Sequence, residues 1–108
     1  ELAANQTPMV IAYAMHPFSF WAMKRMALID TVTLVNLVAE SRSVPDLLGP
    51  ACTPQAIADA LQVVLADSTA QRAAMQTTMT RLGQGGEAPG LRAARSVLAH
   101  LPPLAARA

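Results

Sequence analysis

Cysteine, aromatic residues and charge are all scarce in this chain of 108 residues. The single Cys52 excludes an internal disulfide framework and fits a reducing compartment. Eight basic against seven acidic side chains leave a net charge of +1, which gives no global electrostatic reason to bind nucleic acid. Long clean apolar runs are missing too. The hydrophobic stretch from Met9 to Val38 is broken by His16, Pro17, Lys24, Arg25 and Asp30. No window of ~18 apolar residues survives, which excludes a transmembrane helix. Neither His16 nor His100 has Cys, Asp or Glu at metal-ligand spacing, so neither a metal site nor a cofactor is expected. Cys52 has no local activating cation and is expected to be a small buried hydrophobe.

Apolar residues are what the chain has in abundance, at 53%. Their pattern predicts α/β structure, a βαβ unit followed by three helices. Glu1 to Gln6 has the character of the last turns of a helix. Met9 to Ala14, continuously apolar after Pro8, predicts a strand covered on both faces. Pro17 suits a helix's first turn, where its missing N–H costs nothing, and that helix is expected to reach Ile29. Thr31 to Val35, with four β-branched residues, predicts the second strand, parallel to the first with a right-handed crossover. Val38 to Pro50 is expected as a rim loop with a helical turn near Asp46 to Leu48.

Thr53-Pro54 is an N-cap followed by a proline at the first helical position. The helix after it carries Ile57, Ala60, Leu61 and Val64 on one stripe. Asp67 or Ser68 caps the next, which turns Met75, Met79 and Leu82 inward and closes at Gly83. A flexible loop from Gly83 to Gly90 precedes a last helix with Leu91, Ala94, Leu98 and Leu101 on one side, stopped by Pro102-Pro103.

Two parallel strands cannot make a stable doubly wound sheet alone, and Glu1 begins inside a helical phrase. Further strands are therefore expected before Glu1 or from a partner chain. An unpaired sheet edge and surplus apolar surface predict self-association. With Gly83–Gly90 as hinge, the last helix could dock on a neighbouring copy, as in a domain swap.

Asn36, placed at the C-terminal end of the expected second strand, lies where open α/β sheets put ligands. Its amide can serve a sugar or phosphate oxygen, or bond its own turn backbone. His16 at the same rim is open to a base or ligand role, though capping before Pro17 is the plainer reading. Gly83 to Gly90 lacks the Gly-Lys-Ser/Thr ending of a phosphate loop. The N-terminus of the helix behind it, with Arg92 beside it, remains open as a diphosphate site. On a wheel of ~100° per residue, Trp21, Lys24, Arg25 and Leu28 share one arc. A face mixing Trp, Leu and two cations suits a membrane interface or a protein partner.

The order and spacing of several phrases resemble lipid-A-disaccharide synthase across nearly the whole chain. They are Glu1-Leu2, Pro8-Met9-Val10, Pro17-Phe18-Ser19-Phe20-Trp21 with Lys24-Arg25, Asn36-Leu37-Val38-Ala39, and Val44-Pro45-Asp46-Leu47-Leu48. Two departures stand out. Ala14 follows Tyr13 where many members have Arg, and Arg42 arrives one position later than the family's usual arginine.

The resemblance implies a cytoplasmic GT-B glycosyltransferase, peripheral on the inner membrane. Such an enzyme joins UDP-2,3-diacylglucosamine to 2,3-diacylglucosamine 1-phosphate and releases UDP. It further implies that residues 1–108 are the C-terminal, donor-binding part, truncated on its N-terminal side. Residues 1–50 would form the βαβ unit and rim loop, and 51–108 the C-terminal helices. Glu1 would then accept hydrogen bonds from the nucleotide ribose, with Asn36, His16, Arg42 and Arg92 as further substrate contacts. The acceptor domain and any catalytic base would precede Glu1, leaving the 108-residue piece inactive alone. Acylated substrates add weight to membrane contact. The rival class is a non-catalytic oligomerisation or membrane-docking module.

Overall fold

The computed structural model describes residues 1–28 and 30–102. Its elements run β1 (Ile11–Tyr13), α1 (Pro17–Met26), α2 (Leu34–Ala39), β2 (Asp46–Leu48), a 3₁₀ turn (Gly49–Ala51), α3 (Pro54–Ala66), α4 (Thr69–Arg81) and α5 (Pro89–His100). The two strands pair in parallel, with Ile11 opposite Asp46 and Tyr13 opposite Leu48. Mixed α/β structure and parallel pairing match the expectation; the identity of the second strand does not.

Thr31 to Val35 forms no strand. Asp46 explains why: its carboxylate accepts hydrogen bonds from the Thr31 and Thr33 hydroxyls and from the Val32 N–H at 3.1 Å. These bonds hold the Thr-Val-Thr segment as irregular chain, with Thr33 still extended, and the chain enters α2 at Leu34. Hydroxyls that bond locally compete with a strand ladder, and here they outweigh β-branching. The strand forms instead at Asp46–Leu48, where a helical turn was expected. The N-terminal residues also differ, being hydrogen-bonded turns ending in Gln6 at φ 55° rather than a regular helix.

The C-terminal elements follow their caps. The Thr53 hydroxyl accepts from the Ala56 N–H at 3.2 Å, with Pro54 at the first helical position. Ser68 is the N-cap residue of α4, while the Asp67 carboxylate accepts from the Thr69 N–H at 2.9 Å. That bond holds the Asp67 carboxyl below its usual range. Within α1, Ala27 already caps the C-terminus, so the helix stops short of the expected Ile29, which lies outside the described residues.

The core sits where α2 crosses α4. Val35, Val44, Ala74 and Met75 are its buried apolar members, with Met9, Ile11 and Ala39 packed against them. Buried polar residues complete it. Gln71 donates to the carbonyls of Met9 at 2.9 Å and Ser43 at 3.1 Å, and its carbonyl oxygen accepts the Met9 N–H. Thr78 bonds the Val35 carbonyl at 3.3 Å, stitching α4 to α2. Met79 is only half-buried and Leu82 is exposed, so only Met75 of the expected inward trio reaches the core.

Helix α5 buries no residue. It stays attached through its first turns: Arg92 donates to the Leu82 carbonyl at 3.0 Å, and Arg95 pairs with Glu87 at 2.8 Å. The molecule is accordingly long, 62 × 36 × 18 Å, with a radius of gyration of 18.8 Å. A compact domain of this length would have ~13 Å.

Candidate functional site

Among the expected ligand residues, the fold brings Glu1 close to the start of α2. Glu1, Met9, Thr33, Leu34 and Val35 border one open hollow of about 440 Å³. Glu1 is exposed there, an acceptor-only carboxylate on the rim. Asn36 lies in α2 and is 1% exposed. Its amide nitrogen donates to the Val44 carbonyl at 2.8 Å and the Thr31 hydroxyl at 3.0 Å, and its oxygen accepts the Val44 N–H at 3.0 Å. Both amide hydrogens are committed within the fold, to Thr31 and Val44 rather than to the backbone of its own turn. Asn36 thus clamps the hollow's floor to the chain entering β2.

The remaining expected residues lie apart from this hollow. His16 is the N-cap of α1, its Nδ1 accepting from the Phe18 N–H at 3.2 Å. Arg42 makes a two-pronged pair with Asp30, Nε to Oδ2 at 3.0 Å. This hydrogen bond, foremost, holds the Asp30 carboxyl below the usual carboxylate range. Arg92 is turned back onto the end of α4, where its guanidinium complements the last carbonyls. It covers Gly83, whose φ is 88° and where an added Cβ would stand 2.5 Å from Arg92 Nη1. Glu87, not Arg92, approaches the start of α5, paired with Arg95.

Of the four expected face residues, α1 carries Trp21, Lys24 and Arg25. Arg25 lies over the Trp21 ring at 4.9 Å, and the Trp21 and Phe18 rings stack at 5.9 Å. Lys24 turns toward Phe20, 6.0 Å from its centroid. Trp21 is 52% exposed and Leu28 fully so. Leu28 falls beyond the end of α1 at Met26, so it borders this face from the following turn rather than from the helix. No helix among the described residues is long and apolar enough to cross a membrane. Among them, no cluster of His, Cys, Asp and Glu could hold a metal ion, and Cys52 is half-buried.

Asp46 is the residue that sequence reasoning missed. One carboxylate organises Thr31, Val32 and Thr33, the approach to the hollow, yet its only local mark was a position after Pro45. Hydrogen-bond partners thirteen to fifteen residues away have no short-range periodic signature.

The family model described as lipid-A-disaccharide synthetase matches residues 1–99. The lipid-A-disaccharide synthase of Ruegeria pomeroyi is 61% identical over 102 residues, covering 94% of this chain and 25% of that protein. The Enterobacter protein of the same name is 47% identical over 84 residues, 78% of this chain and 22% of its own. The Paramagnetospirillum magneticum protein is 39% identical over 103 residues, 91% of this chain and 26% of its own. The chain therefore spans about a quarter of the length of the curated relatives it matches. With most of its residues matched by one family model, the chain belongs to the lipid-A-disaccharide synthetase family.

Proposed function

We propose that this chain is the C-terminal, donor-binding part of a GT-B glycosyltransferase that makes the lipid A disaccharide. The observation that carries the reading is the match of residues 1–99 to the family. The longer protein would transfer diacylglucosamine from UDP-2,3-diacylglucosamine to 2,3-diacylglucosamine 1-phosphate, with UDP as leaving group. Residues 1–50 would present the donor site and residues 51–108 the supporting helices. Glu1 would accept the ribose hydroxyls at the rim of the hollow. Asn36 and Asp46 would hold Thr31–Val35 in place beneath it.

The exposed Trp21 and Arg25 pair, with Lys24 and Leu28 beside it, suits contact with the inner-membrane surface that supplies acylated substrates. The uncovered apolar side of α5 suits pairing with a second copy. Catalytic groups would belong to the rest of the longer protein. Full-length protein given both substrates should release UDP only when the acceptor is present, and the 108-residue piece alone should release none. UDP release by the piece alone would overturn this division of labour.

A further inference from the structure

The segment 31–35 runs from one hollow to another. Thr33, Leu34 and Val35 border the first, of about 440 Å³, which has Glu1 on its rim. Thr31 and Val32 border a second, of about 580 Å³, with Asp46 beside them. The Asp46 carboxylate accepts from the Thr31 hydroxyl and the Val32 N–H at the second hollow, and from the Thr33 hydroxyl at the first. One side chain therefore fixes the segment at both ends.

Two features separate this knot from ordinary packing. Thr33 is the N-cap residue of α2, where a threonine ordinarily turns its hydroxyl onto an N–H of the helix's own first turn. Here it makes no capping bond, and its proton goes to Asp46 instead. The start of α2 is thus held from β2 rather than by the helix itself. The knot also needs an acceptor-only group. Three donors converge on Asp46, whose two oxygens can take them all, whereas an amide would turn its NH₂ toward one of them. No ion pair among the described residues involves Asp46, so these three bonds are its direct compensation. Asn36 differs. Its amide is spent on Thr31 and Val44, neither of which borders the first hollow, while Asp46 reaches Thr33, which does.

We propose that Asp46 is a positioning residue for nucleotide binding: by holding Thr33 it sets where α2 begins at the first hollow, and with that the hollow's affinity for UDP. This rests on the donor-binding reading above. Asp46 acts through Thr33 and not by contact with the nucleotide. Displacing a positioning element by ~1 Å can cost up to ~100-fold.

The test measures UDP binding to the full-length protein by calorimetry, beside the melting temperature of the ligand-free protein and the KM of each substrate. Asp46→Asn is nearly isosteric and removes the acceptor for one donor. It should weaken UDP binding about tenfold and raise the donor KM in step, with the acceptor KM unchanged. Thr33→Val, which cannot donate to Asp46, should do the same. The double variant should lose no more than either single one, because both cut the same link. Should Asp46→Asn fail to fold, Asp46→Glu, which keeps the charge but displaces the oxygens by a methylene, makes the same measurement. Variants that melt lower yet bind UDP as the wild type does would overturn the inference, as would losses that add in the double variant. Wild-type protein that binds no UDP would instead end the donor-binding reading, and this inference with it.

Discussion

Helices α4 and α5 are consecutive and nearly equal in length, yet the fold treats them in opposite ways. By composition α5 is the better candidate for burial, with Leu91, Val97 and Leu98 among its residues. All three are at least half exposed. Helix α4 is rich in Thr and Gln, but Gln71, Ala74, Met75 and Thr78 are all buried. The difference lies in what each helix meets. Helix α4 lies against α2, and its polar side chains find backbone partners at Met9, Ser43 and Val35. Burying a polar group is tolerable once it is hydrogen-bonded. Helix α5 buries no side chain and is tied to the loop by Glu87 and to the end of α4 by Leu82. Amphipathicity alone does not decide what becomes core.

Met75→Ala should break the α2–α4 unit most severely. Met75 is fully buried, and truncation of such a residue costs ~2–5 kcal/mol through lost transfer energy and a residual cavity. Urea unfolding measures it; a loss well below this range would mean that the α4 face is less tightly packed than described. Asn36→Ala comes next. It strands the N–H and carbonyl of Val44, each worth ~1–3 kcal/mol when buried without a partner. Thermal stability and turnover should fall together in the full-length protein. Lost turnover at unchanged stability would give Asn36 a direct ligand role instead.

Gly49→Ala probes the α1 contact and should cost ~1–3 kcal/mol. Its φ is 55°, and an added Cβ would stand 2.6 Å from the Phe20 ring. Adding Phe20→Leu should recover part of the loss, because the two sites are in contact and their effects should not add. Equal losses with and without that second change would assign the whole cost to backbone conformation.

The smallest effect belongs to the exposed helix. Leu98→Gln should change monomer stability by no more than ~0.5 kcal/mol. It should also shift sedimentation toward smaller species if α5 pairs between copies. A large drop in stability would show that the apolar side of α5 is buried within the longer protein.

Much of the helical layout was legible because it rests on local chemistry. Thr53-Pro54 marks the start of α3, Gly83 the close of α4, and Pro17 behind a capping His16 the start of α1. The parallel pairing of β1 was legible too, but its partner was not. Thr31 to Val35, four of them β-branched, were diverted by a carboxylate from another part of the chain. Asp46–Leu48, too short to show a period, became the strand. The same distance effect hid the candidate site's framework. Asn36 stood out by sequence, yet its contacts with Thr31 and Val44 depend on a fold that no spacing rule specifies.

Hydrogen exchange on the full-length protein, with and without UDP, tests most directly whether this part of the family holds the nucleotide. Bound UDP should slow exchange around Glu1 to Thr7 and Thr31 to Asn36, the two segments at the first hollow, and leave α5 unchanged. Protection confined to the rest of the longer protein, with neither segment affected, would contradict a donor-binding role for this chain.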